Sequence, residues 1–132
     1  MREEKVVRHV LLQVEAALDQ LGKGGSPSTI DLRQVPGLEA KAYQLLKSRL
    51  GSGEVSASIA TSDGVAETVR AAETAFSGVW WITHHNGAGD TVTEQIEICP
   101  FPAIFAAHPE EIRDSAVRLG PLCNQNAEVE AS

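Results

Sequence analysis

Residues 79–99 read VWWITHH-NGAGD-TVTEQIEIC. Two runs rich in β-branched and aromatic residues flank Asn86-Gly87-Ala88-Gly89-Asp90, whose glycines supply the positive backbone angles of a tight reversal. An antiparallel hairpin of Val79 to His85 with Thr91 to Cys99 is therefore expected. Pro100 and Pro102 end its second strand, because proline removes a ladder donor. Successive strand residues face opposite sides, so Trp80 and Trp81 are expected on opposite faces. One ring should be mostly buried, and the other should face outward or lie under another element.

Upstream of the hairpin the period of two continues. Val55, Ala57 and Ile59 alternate with Ser56, Ser58 and Ala60, Ser62-Asp63-Gly64 reads as a turn, and Val65 to Phe76 reads as a longer strand. A short strand is expected over Ile30 to Arg33. Nearer the N-terminus, Val7, Val10, Leu11, Val14, Leu18 and Leu21 recur at steps of three and four, which predicts a helix from Arg2 to Leu21, stopped by Gly22. Gly22 to Ser28 reads as a loop. Leu38, Ala42, Leu45, Leu46 and Leu50 repeat the helical spacing after Pro36, and Gly51 ends that helix. Downstream, a short helix is expected near Ala103 to Ala107. A final helix should open at Pro109-Glu110-Glu111 and run to Leu119, followed by a loose tail over residues 120–132. The order implies an α+β fold: an antiparallel sheet of about four strands, a meander closing in a C-terminal hairpin, with helices packed on one face and one domain over residues 1–119.

Composition narrows the function classes. A chain of 132 residues with 42% hydrophobic and 22% charged residues fits one soluble globular domain. No apolar run approaches the roughly 18 residues of a membrane span. Glu3, Glu4, Glu15 and Asp19 interrupt the apolar residues of the N-terminal segment, unlike a secretory signal, so a cytoplasmic protein is expected. A net charge of -7 disfavours nucleic acid as a partner. Cys99 and Cys123 form no CxxC and no zinc ligand set.

His84 and His85 with Glu94 and Glu97 are the one group that invites a metal hypothesis. Strand alternation turns each pair apart, so no metal site and no cofactor are expected. No GxSxG is present, and Gly22 to Ser28 lacks the order of a phosphate-binding loop. No catalytic residue is assigned. Between Arg70 and Arg113 there is no lysine or arginine, whereas Glu73, Asp90, Glu94, Glu97, Glu110 and Glu111 fall there. Phe76, Trp80, Trp81, Phe101 and Phe105 lie in the same stretch. Aromatic residues are enriched in interface hot spots, so a partner-binding surface is expected at Trp80, Trp81, Glu73, Glu94 and Glu97.

IDLR at Ile30 to Arg33, GEVSA at Gly53 to Ala57, ETAFSGVWWI at Glu73 to Ile82 and EQIEICPFP at Glu94 to Pro102 together resemble the C-terminal conserved region of the HupH/HyaF type of hydrogenase expression/formation protein. The resemblance spans Val6 to Leu119, and ETxFxGVWW is its most specific segment. It implies a maturation chaperone for a nickel-iron uptake hydrogenase, one that binds the iron-sulfur small-subunit precursor before twin-arginine export, beside a thioredoxin-like hydrogenase chaperone. The competing reading is a small metal-binding or enzymatic factor of hydrogenase cofactor assembly, using His84, His85, Cys99 and nearby carboxylates. Better-known members are longer than this chain, which resembles a single copy of the region; a two-fold homodimer is the corresponding expectation.

Overall fold

The computed structural model describes residues 2–61 and 67–131. The expected Ser62-Asp63-Gly64 turn and the beginning of the strand expected from Val65 lie outside them. The elements are α1 (Arg2–Gly22), β1 (Ser28–Asp31), a 3-10 turn (Leu32–Gln34), α2 (Ala40–Leu50), β2 (Ser56–Thr61), β3 (Glu67–Glu73), β4 (Val79–His85), β5 (Thr91–Ile98), a second 3-10 turn (Ala103–Phe105) and α3 (Pro109–Ala131). Residues 1–102 and 103–132 form two compact units. The division follows Pro100 and Pro102, the prolines that end β5. Among the described residues no helix is long and apolar enough to cross a membrane.

In the first unit the strands form one antiparallel sheet in the order β1-β5-β4-β3-β2. The α+β class and the meander of β2 to β5 are as the pattern implied. The sheet has five strands where about four were expected, because β1 pairs along the far side of β5, Ser28 opposite Ile98. That partnership joins segments far apart in sequence. β1 also sits slightly earlier than Ile30 to Arg33, since the Asp31 side chain accepts a hydrogen bond from the Arg33 amide (3.0 Å) and turns the chain into the 3-10 segment. The other edge, β2, carries no charged residue and no proline.

The β4–β5 hairpin holds through its turn. Asn86 Oδ1 accepts from the amides of Ala88 and Asp90, both at 3.0 Å, and Gly89 adopts a φ of 87°. Next to the turn the register slips: His84 faces Thr93 and His85 faces Thr91, which leaves Val92 as a bulge. The bulge restores His85 and Thr91 to one face. Between β3 and β4 the chain reverses around Thr74, a buried residue whose hydroxyl donates to Val79 O (2.9 Å) and accepts from the Phe76 amide (3.2 Å).

One face of the sheet takes both helices of this unit. Val7, Val10 and Val14 of α1, Ala42, Leu46 and Leu50 of α2, and Leu32 meet Val79, Trp81, Ile96 and Ile98. The periodicity of both helices is thereby spent on core packing. The inner-face residues of the outer strands tell a different story: Ser56, Ser58 and Ala60 of β2, and Arg70 and Ala72 of β3, are exposed. The helical layer covers the β1-β5-β4 side and stops there. A step results between α2 and the β3–β4 floor.

In the second unit α3 opens at Pro109 with Glu110 and Glu111 in its first turn, where carboxylates oppose the helix dipole. It continues through Pro121 to Ala131, over the segment expected as a loose tail. Pro121 deletes one backbone donor, while leucine, glutamine, alanine and glutamate around it favour helix. A helix without an apolar stripe leaves no periodic trace in the sequence.

Leu46 is fully buried, and replacing it by alanine should cost about 2 to 5 kcal/mol, read as a lower urea midpoint at constant slope. Leu12→Ala, at a half-exposed position of α1, should change stability by no more than about 0.5 kcal/mol.

Candidate functional site

Trp80 and Trp81 do point to opposite faces of β4, yet both are buried, at 2% and 6% exposure. Of the two expected outcomes for the second ring, facing outward or lying under another element, the structure has it covered. On the face away from the helices, Trp80 donates its Nε1–H to Cys99 O (3.2 Å), and Phe101 meets its ring edge-on with centroids 5.5 Å apart. Phe101, 47% exposed, is the outer member of that pair. The turn at Pro100 brings it back over β4, a contact that residue spacing does not announce.

Trp81 faces the helices. Its Nε1–H donates to Glu94 Oε2 at 2.5 Å, and the Tyr43 hydroxyl of α2 donates to the same oxygen. Tyr43 and Trp81 are in edge contact, with centroids 5.5 Å apart and an interplanar angle of 82°. Lys47, one turn after Tyr43, places Nζ 5.6 Å from the Tyr43 centroid and 5.5 Å from that of Trp81. Burial, then the hydrogen bond to Glu94 and the charge of that carboxylate, push the Tyr43 phenol far above its ordinary range. Glu94 thus has two donors and an aromatic wall, which is how a half-buried carboxylate remains satisfied.

Beside this group lies a cleft of about 360 Å³ at the step between α2 and the sheet. Tyr43, Lys47, Arg70, Trp81, His85 and Glu94 are on its walls and floor. The five residues expected to bind a partner do not form one patch. Cross-strand register sets Glu73, Trp80 and Glu97 in a row on one face, and alternation places Trp81 and Glu94 on the other. His84 follows the first face, with Nε2 3.1 Å from Glu67 Oε2, and His85 the second, with Nδ1 3.5 Å from Thr91 Oγ1. Among the described residues no group of three or more His, Cys, Asp or Glu converges on a point.

Sequence reasoning missed Tyr43, Lys47 and Arg70. The spacing of Tyr43 and Lys47 marks one helical face, but nothing local shows that Glu94 is the acceptor across from it. The cations absent from residues 71–112 arrive from elsewhere: Lys47 from α2, Arg70 from β3, and Arg33, which donates to Thr91 O at 2.6 Å. Cys99 is buried, and desolvation, with the Glu97 charge adding to it, pushes its thiol up to about 11 from the ordinary 9.0. Such a thiol holds less thiolate at neutral pH than a free cysteine does. The cleft offers hydrogen-bond and charge recognition; neither Tyr43 nor Cys99 is activated as a nucleophile.

The chain has a single tyrosine, so its phenolate titration is read without ambiguity by near-ultraviolet absorbance. Glu94→Gln should lower that midpoint while leaving it above the ordinary value, because burial remains. The raised Cys99 value makes its contribution to stability complete below about pH 9 and lost as the pH climbs to about 11. Urea unfolding across that interval should show a shallower decline for Cys99→Ala. At neutral pH a thiol reagent should modify the exposed Cys123 first and reach Cys99 only on unfolding.

Comparison with known proteins gives a consistent picture. The family described as HupH hydrogenase expression protein, C-terminal conserved region, matches residues 6–125. The chain is similar to the hydrogenase expression/formation protein HupQ of Azotobacter chroococcum, 32% identical over 95 residues that span 72% of this chain and 31% of the relative. It is similar also to the hydrogenase-1 operon protein HyaF of Escherichia coli, 35% identical over 103 residues, 77% of this chain and 34% of the relative. The chain thus spans about a third of the length of these curated relatives. The solved structure of the hydrogenase expression protein HupH from Thiobacillus denitrificans superposes with a TM-score of 0.75 at 33% identity, over 90% of this chain and 95% of that one. With a family match over most of its length and a shared fold at that identity, the chain belongs to the HupH hydrogenase expression family, in its C-terminal conserved region.

Proposed function

We propose that this chain serves hydrogenase maturation as a binding factor for the iron-sulfur small-subunit precursor of a nickel-iron hydrogenase, before export and beside a thioredoxin-like chaperone. The observation that carries the reading is the family match over residues 6–125, with relatives named as hydrogenase expression/formation proteins. The surface chemistry supports it. The excess of acidic residues amounts to a net charge of -7, and Glu73 and Glu97 flank Trp80 in one cross-strand row, both half-buried rather than fully solvated. A twin-arginine leader concentrates positive charge, and complementary charge accelerates encounter over about 8 to 10 Å in physiological salt. Charge of this kind steers the partner, and the folded part of the subunit supplies the rest of the affinity.

Binding to the precursor and to the leaderless subunit, each measured at low and high salt, tests the proposal. The precursor should bind more tightly, with the difference shrinking as salt rises. Glu73→Gln combined with Glu97→Gln should slow association with little change in dissociation. Equal, salt-independent affinities would refute the leader contact, and absence of binding to either form would refute the small-subunit assignment.

A further inference from the structure

The cleft between α2 and the sheet is lined by two cations, Lys47 and Arg70, together with the carboxylates of Glu73 and Glu94. We infer that it is a binding site for a carboxylate group carried by a peptide segment, held between Lys47 and Arg70 with His85 at its far end. Three elements contribute. Lys47 comes from the α2 wall, and Arg70 and His85 are diagonal neighbours on the inner face, since Arg70 is paired with Thr83 and His85 lies two residues further along β4. Among the described residues neither Lys47 nor Arg70 has a carboxylate within 4 Å. Lys47 rests instead on the Tyr43 and Trp81 rings, which fix its ammonium without neutralising it.

The carboxylates already there do not take this role. Glu94 is occupied by the Trp81 and Tyr43 donors, and Glu73, at the end of β3, forms no ion pair with Lys47 or Arg70 among the described residues. Ala72 and Thr83, small side chains beside Arg70 in the sheet, line the cleft, and a volume of about 360 Å³ stays open. That is within the roughly 300 to 1,000 Å³ of small-ligand sites. A guanidinium and an ammonium on adjoining walls are the arrangement that recognises an anionic oxygen pair. The inference stands on this geometry and does not depend on the maturation reading.

The Trp81 indole N–H, which borders the cleft, is the reporter. With the full chain labelled in nitrogen-15, three capped peptides are titrated: a glutamate-containing amide, an alanine peptide with a free C-terminal carboxylate, and an alanine amide. A saturable shift of the Trp81 indole signal is expected with the first, the second or both, which identifies the carboxylate source, and none with the third. Lys47→Ala and Arg70→Ala should each weaken binding by roughly tenfold, the usual scale for one charge-assisted hydrogen bond. Ala72→Leu should block binding by filling the floor while the remaining amide signals keep their dispersion. No shift with either carboxylate peptide, an equal shift with the alanine amide, or undiminished binding by both charge variants would overturn the inference.

Discussion

Two adjacent indoles on the middle strand of the sheet impose a demand that the remaining elements meet. Strand alternation sends Trp80 and Trp81 to opposite faces, so both faces must be covered at β4. On the inner face α1 and α2 meet the demand with valine and leucine stripes. On the outer face Phe101 is part of the answer, brought into place by the prolines that end β5. Each indole also carries an N–H that cannot be left unbonded in a dry interior, and the two solutions differ: a backbone carbonyl for Trp80, a carboxylate for Trp81.

The second solution shapes the chemistry of the cleft. Because Glu94 accepts from Trp81 and Tyr43 together, one strand residue fixes a ring of the sheet and a ring of the helix. Lys47 then stands over both. A carboxylate that would read as surface charge in the sequence is in fact the join between α2 and β5. The acidic character of the hairpin half is accordingly distributed: Glu94 is drawn inward, Glu73 pairs with Trp80 in register yet borders the cleft, and Glu97 stays with Trp80 on the other face.

Elements whose pairing is local were legible. The hairpin is written in alternation and in its glycine-bearing turn, and α1 in its three-four spacing. What the pattern could not show depends on partners distant in sequence or on features that leave no period. β1 finds β5 across most of the chain, Phe101 folds back onto Trp80, and Tyr43 reaches Glu94 across 51 residues. α3 past Leu119 has no apolar stripe to betray it. The Trp pair illustrates both limits: alternation settled their directions, but the outer ring is met by Phe101, a residue set between two prolines past the end of β5.

β2 has a consequence of its own for handling the protein. An edge strand of serine, alanine, isoleucine and threonine lacks the lysines, prolines and bulges that ordinarily discourage sheets from growing. Its small alternating side chains also tolerate more than one pairing register. What opposes such growth is then a property of the whole surface, the excess of carboxylates. Near the isoelectric point, about 5.0, that mutual repulsion vanishes while the edge remains, so the solubility minimum of this chain coincides with its greatest tendency to extend its sheet.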